Sequence, residues 1–165
     1  MADEWLSGYS GQSTEALLAL ATKFRSDSVV LAFEEALQAK APSDVTEHER
    51  FVLAIEALER EVNNGGFHQF FTNSSVEFVD VIADALQAVR CTETAEVVRE
   101  AIESLGIDGA PTAESVTSIM DQDDDGLFER LGAFDDRFYS VAEPIADRLL
   151  AWISDNRATV RVGDA

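Results

Sequence analysis

The sequence is short of cysteine, lysine and long apolar runs, and each shortage removes a class of protein. Cys91 is the single cysteine among 165 residues, so no internal disulfide framework can staple the chain. Lysine occurs twice and arginine ten times against 32 acidic residues, which leaves a formal net charge of −20. A nucleic-acid binder needs clustered cations to displace counterions from phosphates, and an anionic membrane makes the same demand. Both are excluded as direct partners. No apolar run approaches the roughly 18 residues of a membrane-spanning helix. The opening MADEWLSGYSG is acidic and lacks the apolar core of a secretion signal. Together these absences predict a cytoplasmic protein. Also missing are alternating strand patterns, a phosphate-binding glycine loop, a His-Glu-x-x-His zinc helix and a Glu-x-x-His pair for a di-iron bundle. No metal, no cofactor and no enzymatic activity are expected.

What the chain does have is helical periodicity. Thr46-Glu47-His48-Glu49 reads as a capping box, and the following Val52, Ile55, Leu58 and Val62 form one apolar stripe. Val79, Ile82, Ala83 and Leu86 repeat the spacing, as do Val98, Ala101, Ile102 and Leu105, with Gly106 as the stop. Phe138, Val141, Ile145, Leu149 and Trp152 read as a last stripe, in which Pro144 marks either a first turn or a kink. Shorter helices are expected from Leu17 to Lys23, from Ser28 to Lys40, from Thr112 to about Met120, and from Asp124 to Leu131. The expected fold is all-α, a single compact multi-helix domain of about seven to nine helices. Residues 1–44 read as an N-terminal helical extension, 45–157 as the main helical domain and 158–165 as a flexible tail. Trp5 and Tyr9 lie in a leader whose packing the sequence does not decide.

The hydrophobic and charged fractions, 46% and 27%, are ordinary, so it is the balance of charge that calls for a cause. Adaptation to high salt would spread acids evenly. Residues 1–110 hold 20 acids and 7 bases, and residues 111–165 hold 12 and 5, so per residue the two stretches match.

Two segments carry the candidate chemistry. The first is Glu61-Val-Asn-Asn-Gly-Gly-Phe-His-Gln-Phe-Phe-Thr-Asn73. Asn63 or Asn64 tolerates a left-handed turn, and Gly65 and Gly66 adopt one freely. Phe67, Phe70 and Phe71 then fall on one helical face, Gln69 and Asn73 are placed to satisfy open carbonyls at the corner, and His68 points away from the Phe face. This is either an aromatic-plugged corner or a small-ligand pocket behind Gly65 and Gly66. No Ser, Cys or second His stands by to complete a catalytic set.

The second segment is DQDDDGLFERLG, Asp121 to Gly132. It begins like a calcium loop, with Asp121, Asp123 and Asp125 at positions 1, 3 and 5 and Gly126 at 6. Gly132 stands where a bidentate Glu is needed. The remaining readings are a solvated loop or an acidic docking patch. Asp121, Asp123, Asp124, Asp125, Glu129, Asp135 and Asp136 place seven acids in sixteen residues against Arg130 alone.

The Glu61–Asn73 stretch, together with Leu131-Gly-Ala-Phe-Asp-Asp-Arg-Phe-Tyr139, resembles a family of small acidic bacterial proteins named for a DNA mimic. The resemblance covers about residues 45–157. It implies an all-α fold, often a homodimer, that presents carboxylates in a DNA-like array to a basic DNA-binding protein such as a transcription regulator. Density sets a condition on that role. A chain of this size exposes about 8,000 Å², so −20 spread evenly is about one charge per 400 Å², whereas duplex DNA carries about one per 100 Å². Mimicry therefore requires clustering, and the run from Asp121 to Asp136 is the densest supply.

Overall fold

A computed structural model describes residues 2–163. Among them are eight α-helices and two short 3-10 turns, with no strand beyond one isolated bridge. The all-α class and the helix count agree with the sequence. No helix among the described residues is long and apolar enough to cross a membrane. Backbone contacts divide the chain into two units. Unit 1 takes the residues up to Glu56 and those from Pro144 onward, and unit 2 is Ala57–Glu143.

Unit 1 contains α1 (Thr14–Leu20), α2 (Ser26–Gln38), the first turns of α3 (Glu47–Thr72) and α8 (Ile145–Asp155), with α2 packed on both α1 and α8. The leader is tied down. Glu4 bridges to Phe24, Leu6 is buried, and the Tyr9 N–H donates to Glu35 Oε2 at 2.7 Å. The capping box forms as expected, since Thr46 Oγ1 accepts from the Glu49 N–H at 3.1 Å and Glu49 Oε2 accepts from the Thr46 N–H at 3.0 Å. Glu49 has no exposed surface, so its charge needs partners. Lys40 Nζ at 2.8 Å and the Arg161 N–H at 2.8 Å supply them.

That clasp overturns the expectation of a flexible tail over residues 158–163. Val160 and Val162 are buried, and Thr14 Oγ1 donates to the Val160 carbonyl while accepting from the Val162 N–H. Four residues, Thr159-Val-Arg-Val162, are too few to show a period, so their burial left no mark in the pattern. Residues 164 and 165 lie outside the described residues.

Unit 2 continues α3 to Thr72 and adds a 3-10 turn (Ser74–Phe78), α4 (Ile82–Ala88), α5 (Thr92–Glu103), α6 (Ala113–Met120) and α7 (Asp125–Val141). Helix α5 packs on α4 and α7, and α6 packs on the 3-10 turn. Gly106, at φ 69°, ends the α5 region as the sequence predicts. The stripe from Phe138 to Trp152 is two helices. Helix α7 stops at Val141, Ala142 turns left-handed at φ 48°, and Pro144 caps α8. The proline thus marks a start, where its fixed φ and missing N–H do no harm.

Candidate protein-interaction surface

The glycine corner breaks α3 at Gly65 and Gly66. Only Gly66 takes positive φ, at φ 73° and ψ −173°, a region nearly closed to other residues. Asn63 and Asn64, which would also tolerate a left-handed turn, stay at negative φ. Crowding gives the second reason for glycine here. A Cβ on Gly66 would lie 2.2 Å from Asp135 Oδ2, and one on Gly65 would lie 2.2 Å from Gln69 Oε1.

Asp135 is so close because it caps the restarted helix, with Oδ1 accepting from the Phe67 N–H at 2.7 Å. On the near side of the break, the Tyr139 hydroxyl donates to the Val62 carbonyl at 2.6 Å. Gln69 and Asn73 were expected to serve open carbonyls. They donate instead to one oxygen of Glu61, at 2.7 Å and 2.8 Å, which clamps the two segments of α3 together across the glycines.

Phe67, Phe70 and Phe71 retain no accessible surface. Their rings pack on one another, and Phe67 meets Phe138 edge-on at 6.0 Å. A cavity large enough for water would leave surface on the rings that line it. The space that a ligand pocket walled by these three residues would need is therefore filled, and of the two readings the corner fits the aromatic plug.

The acidic run divides by role. Asp121, Asp123, Asp124, Asp125, Glu129 and Asp136 are exposed, and Asp135 is partly buried at the corner. Asp124 is the N-cap of α7, accepting from the Gly126 N–H at 2.8 Å. A calcium loop uses its sixth residue for a sharp turn, but Gly126 is already the second residue of a helix. Among the described residues, no group of His, Cys, Asp or Glu is arranged to hold a metal ion. Asp121 to Asp125 can span at most about 14 Å, and Asp125 to Glu129 rises about 6 Å along α7. Five carboxylates thus occur about every 5 Å of chain or closer, against one phosphate per about 3.4 Å along a DNA strand.

Burial pushes the Asp135 carboxyl above its usual pKa, and Asp136 adds to the rise, while the Phe67 N–H and His68 pull the other way. Burial also raises the Tyr139 hydroxyl, helped by Asp135 and Asp136. Asp135 is thus set apart from the other acids counted with it in the sequence as a docking patch. The carboxylate with the raised pKa is the one that the corner has taken in.

His68 does not simply face solvent. It is partly buried and meets the Phe128 ring edge-on at 5.1 Å. A cleft of about 210 Å³ opens there, with Met120 and Leu127 as apolar lining and Asp123, Asp124 and Asp125 around it. The two segments singled out in the sequence therefore meet at one place. So do the two stretches that carry the family resemblance, through Asp135 and Tyr139.

The charge is also uneven between the units. Unit 2 holds 19 acids and 5 bases, net −14, while unit 1 holds 13 and 7, net −6. Dividing the sequence at residue 110 hid this, because that division cuts through unit 2.

A family model described as DMP19-like protein matches residues 43–156. The chain belongs to the DMP19-like protein family. The region shared with DMP19-like proteins starts just ahead of α3 and ends after α8, close to the 45–157 span expected from the sequence. It contains the glycine corner, the acidic run and Tyr139, and it leaves out α1 and α2. No curated protein and no solved structure matches the chain.

Proposed function

We propose that this protein is a non-enzymatic, cytoplasmic binding protein whose acidic face occupies the DNA-binding surface of a basic protein such as a transcription regulator. The observation that carries this reading is the concentration of exposed acid in unit 2, with Asp121, Asp123, Asp125 and Glu129 close together in the chain and Asp136 on the same helix as Glu129. Salt adaptation alone predicts an even coat, and the −14 against −6 division departs from that. Membership of the DMP19-like family is compatible with the role. A homodimer would extend the charged array beyond one copy, and light scattering reads that directly.

The test has two steps. The protein is used as bait in nuclease-treated lysate, and bound proteins are eluted with short duplex DNA and identified by mass spectrometry. Recovery of one basic DNA-binding protein supports mimicry. The variant D123N/D125N/D136N is then titrated against that partner. It leaves Asp124 and Asp135, which the fold uses, in place. Its affinity should fall about tenfold or more with helical content unchanged. Unchanged affinity removes this run from the interface, and elution by high salt alone of miscellaneous basic proteins sinks the reading.

A further inference from the structure

We propose that the cleft lined by His68 and Phe128 is a socket for one arginine side chain of the basic partner. This rests on the acidic-face reading and sharpens it. Its volume of about 210 Å³ is below the roughly 300–1,000 Å³ of pockets that enclose whole small molecules. It fits a single side chain better than a metabolite. Met120 and Leu127 give it apolar walls, and Asp123, Asp124 and Asp125 surround it with negative charge. The occupant must therefore combine an apolar stem with a cationic head.

Lysine and arginine both meet that description, and the aromatic lining distinguishes them. Phe128 is 59% exposed, an unusual state for a phenylalanine, and its ring lies edge-on to His68. A guanidinium can stack flat on such a ring and still direct its N–H fork at carboxylates, whereas an ammonium is a strongly hydrated point charge. A surface that only imitated phosphate spacing would have no use for an exposed phenylalanine beside it. A socket for an arginine that would otherwise lie against DNA does.

The full-length protein is titrated with two peptides of equal length and charge, one carrying four arginines and one carrying four lysines in a Gly-Ser background. Binding is read by calorimetry, and the ring signals of His68 and Phe128 by NMR. The arginine peptide should bind about three- to tenfold tighter, with the largest shifts at His68, Met120 and Phe128. In F128A that preference should fall to about one. Phe128 is largely exposed, so the variant should fold, and its far-ultraviolet spectrum checks this. Equal affinity for the two peptides, with steep salt dependence, overturns the socket and leaves the acidic face standing. A preference that survives in F128A also overturns the socket. Binding of neither peptide at low salt brings down the acidic-face reading and the socket with it.

Discussion

Gly66→Ala tests the account of the corner most sharply. Two separate effects should add. The backbone at φ 73°, ψ −173° strains any residue with a Cβ by about 1–3 kcal/mol. The new methyl would also sit 2.2 Å from Asp135 Oδ2 and 2.6 Å from its Cγ, so the carboxyl must move. Moving it removes the cap on the Phe67 N–H, which costs about 1 kcal/mol more. The total is about 2–4 kcal/mol, a large share of the about 5–15 kcal/mol that keeps a domain folded. At about 2–4 °C per kcal/mol for a chain of this size, Tm should fall by about 4–16 °C.

The assay is urea unfolding followed by circular dichroism, run as a cycle with Asp135→Ala. Asp135→Ala removes the obstacle along with the cap, so in its background Gly66→Ala should retain only the backbone strain. Gly65→Ala is a further comparison. Its φ of −157° suits any residue and its nearest obstacle is the end of the Gln69 side chain, so it should cost less than Gly66→Ala. A Gly66→Ala cost below about 1 kcal/mol, or one unchanged by Asp135→Ala, would refute the close-approach argument.

Two other outcomes follow from the same geometry. Asp135→Asn keeps an oxygen for the Phe67 N–H and removes a charge that burial disfavours. Because the folded pKa is raised, ionised Asp135 lowers stability as pH rises from the usual carboxylate pKa through the raised value. The variant should therefore equal or exceed the wild type in stability at pH 7, and the wild type should gain on it as pH falls through that window; a wild-type advantage that grows with pH would contradict this. Cutting the chain after Arg157 removes buried Val160 and Val162 and one partner of Glu49, and should cost about 3 kcal/mol or more in chemical denaturation; an unchanged midpoint would mean that the C-terminal residues are dispensable.

What the sequence made legible was local. The Thr46 capping box, the Gly106 stop and the common face of Phe67, Phe70 and Phe71 depend on residues within a turn or two of each other, and all three appear in the fold. What it left out was distant. Asp135 reaches the Phe67 N–H across 68 positions and Tyr139 reaches Val62 across 77. Spacing within a helix has no means of registering such pairs. Gln69 and Asn73 were recognised as polar residues serving the corner, but a carboxylate outcompeted the backbone carbonyls for them because Glu61 lies one helical turn before the break. The acidic run was visible as a run. That Asp124 and Asp135 are structural, and that His68 sits beside Phe128, depended on where α7 begins and on what it packs against.

Unit 1 is built from segments that precede and follow unit 2 in the sequence, and this sets an order of events during synthesis. Glu49 and Arg161 are 112 residues apart, so at about 5–20 residues per second the ribosome leaves the glutamate without that partner for about 6–22 s. Unit 2 is contiguous and can close in the interval. The nascent chain thus carries its more acidic unit in finished form while unit 1 waits for Val160 and Val162 to fill its core.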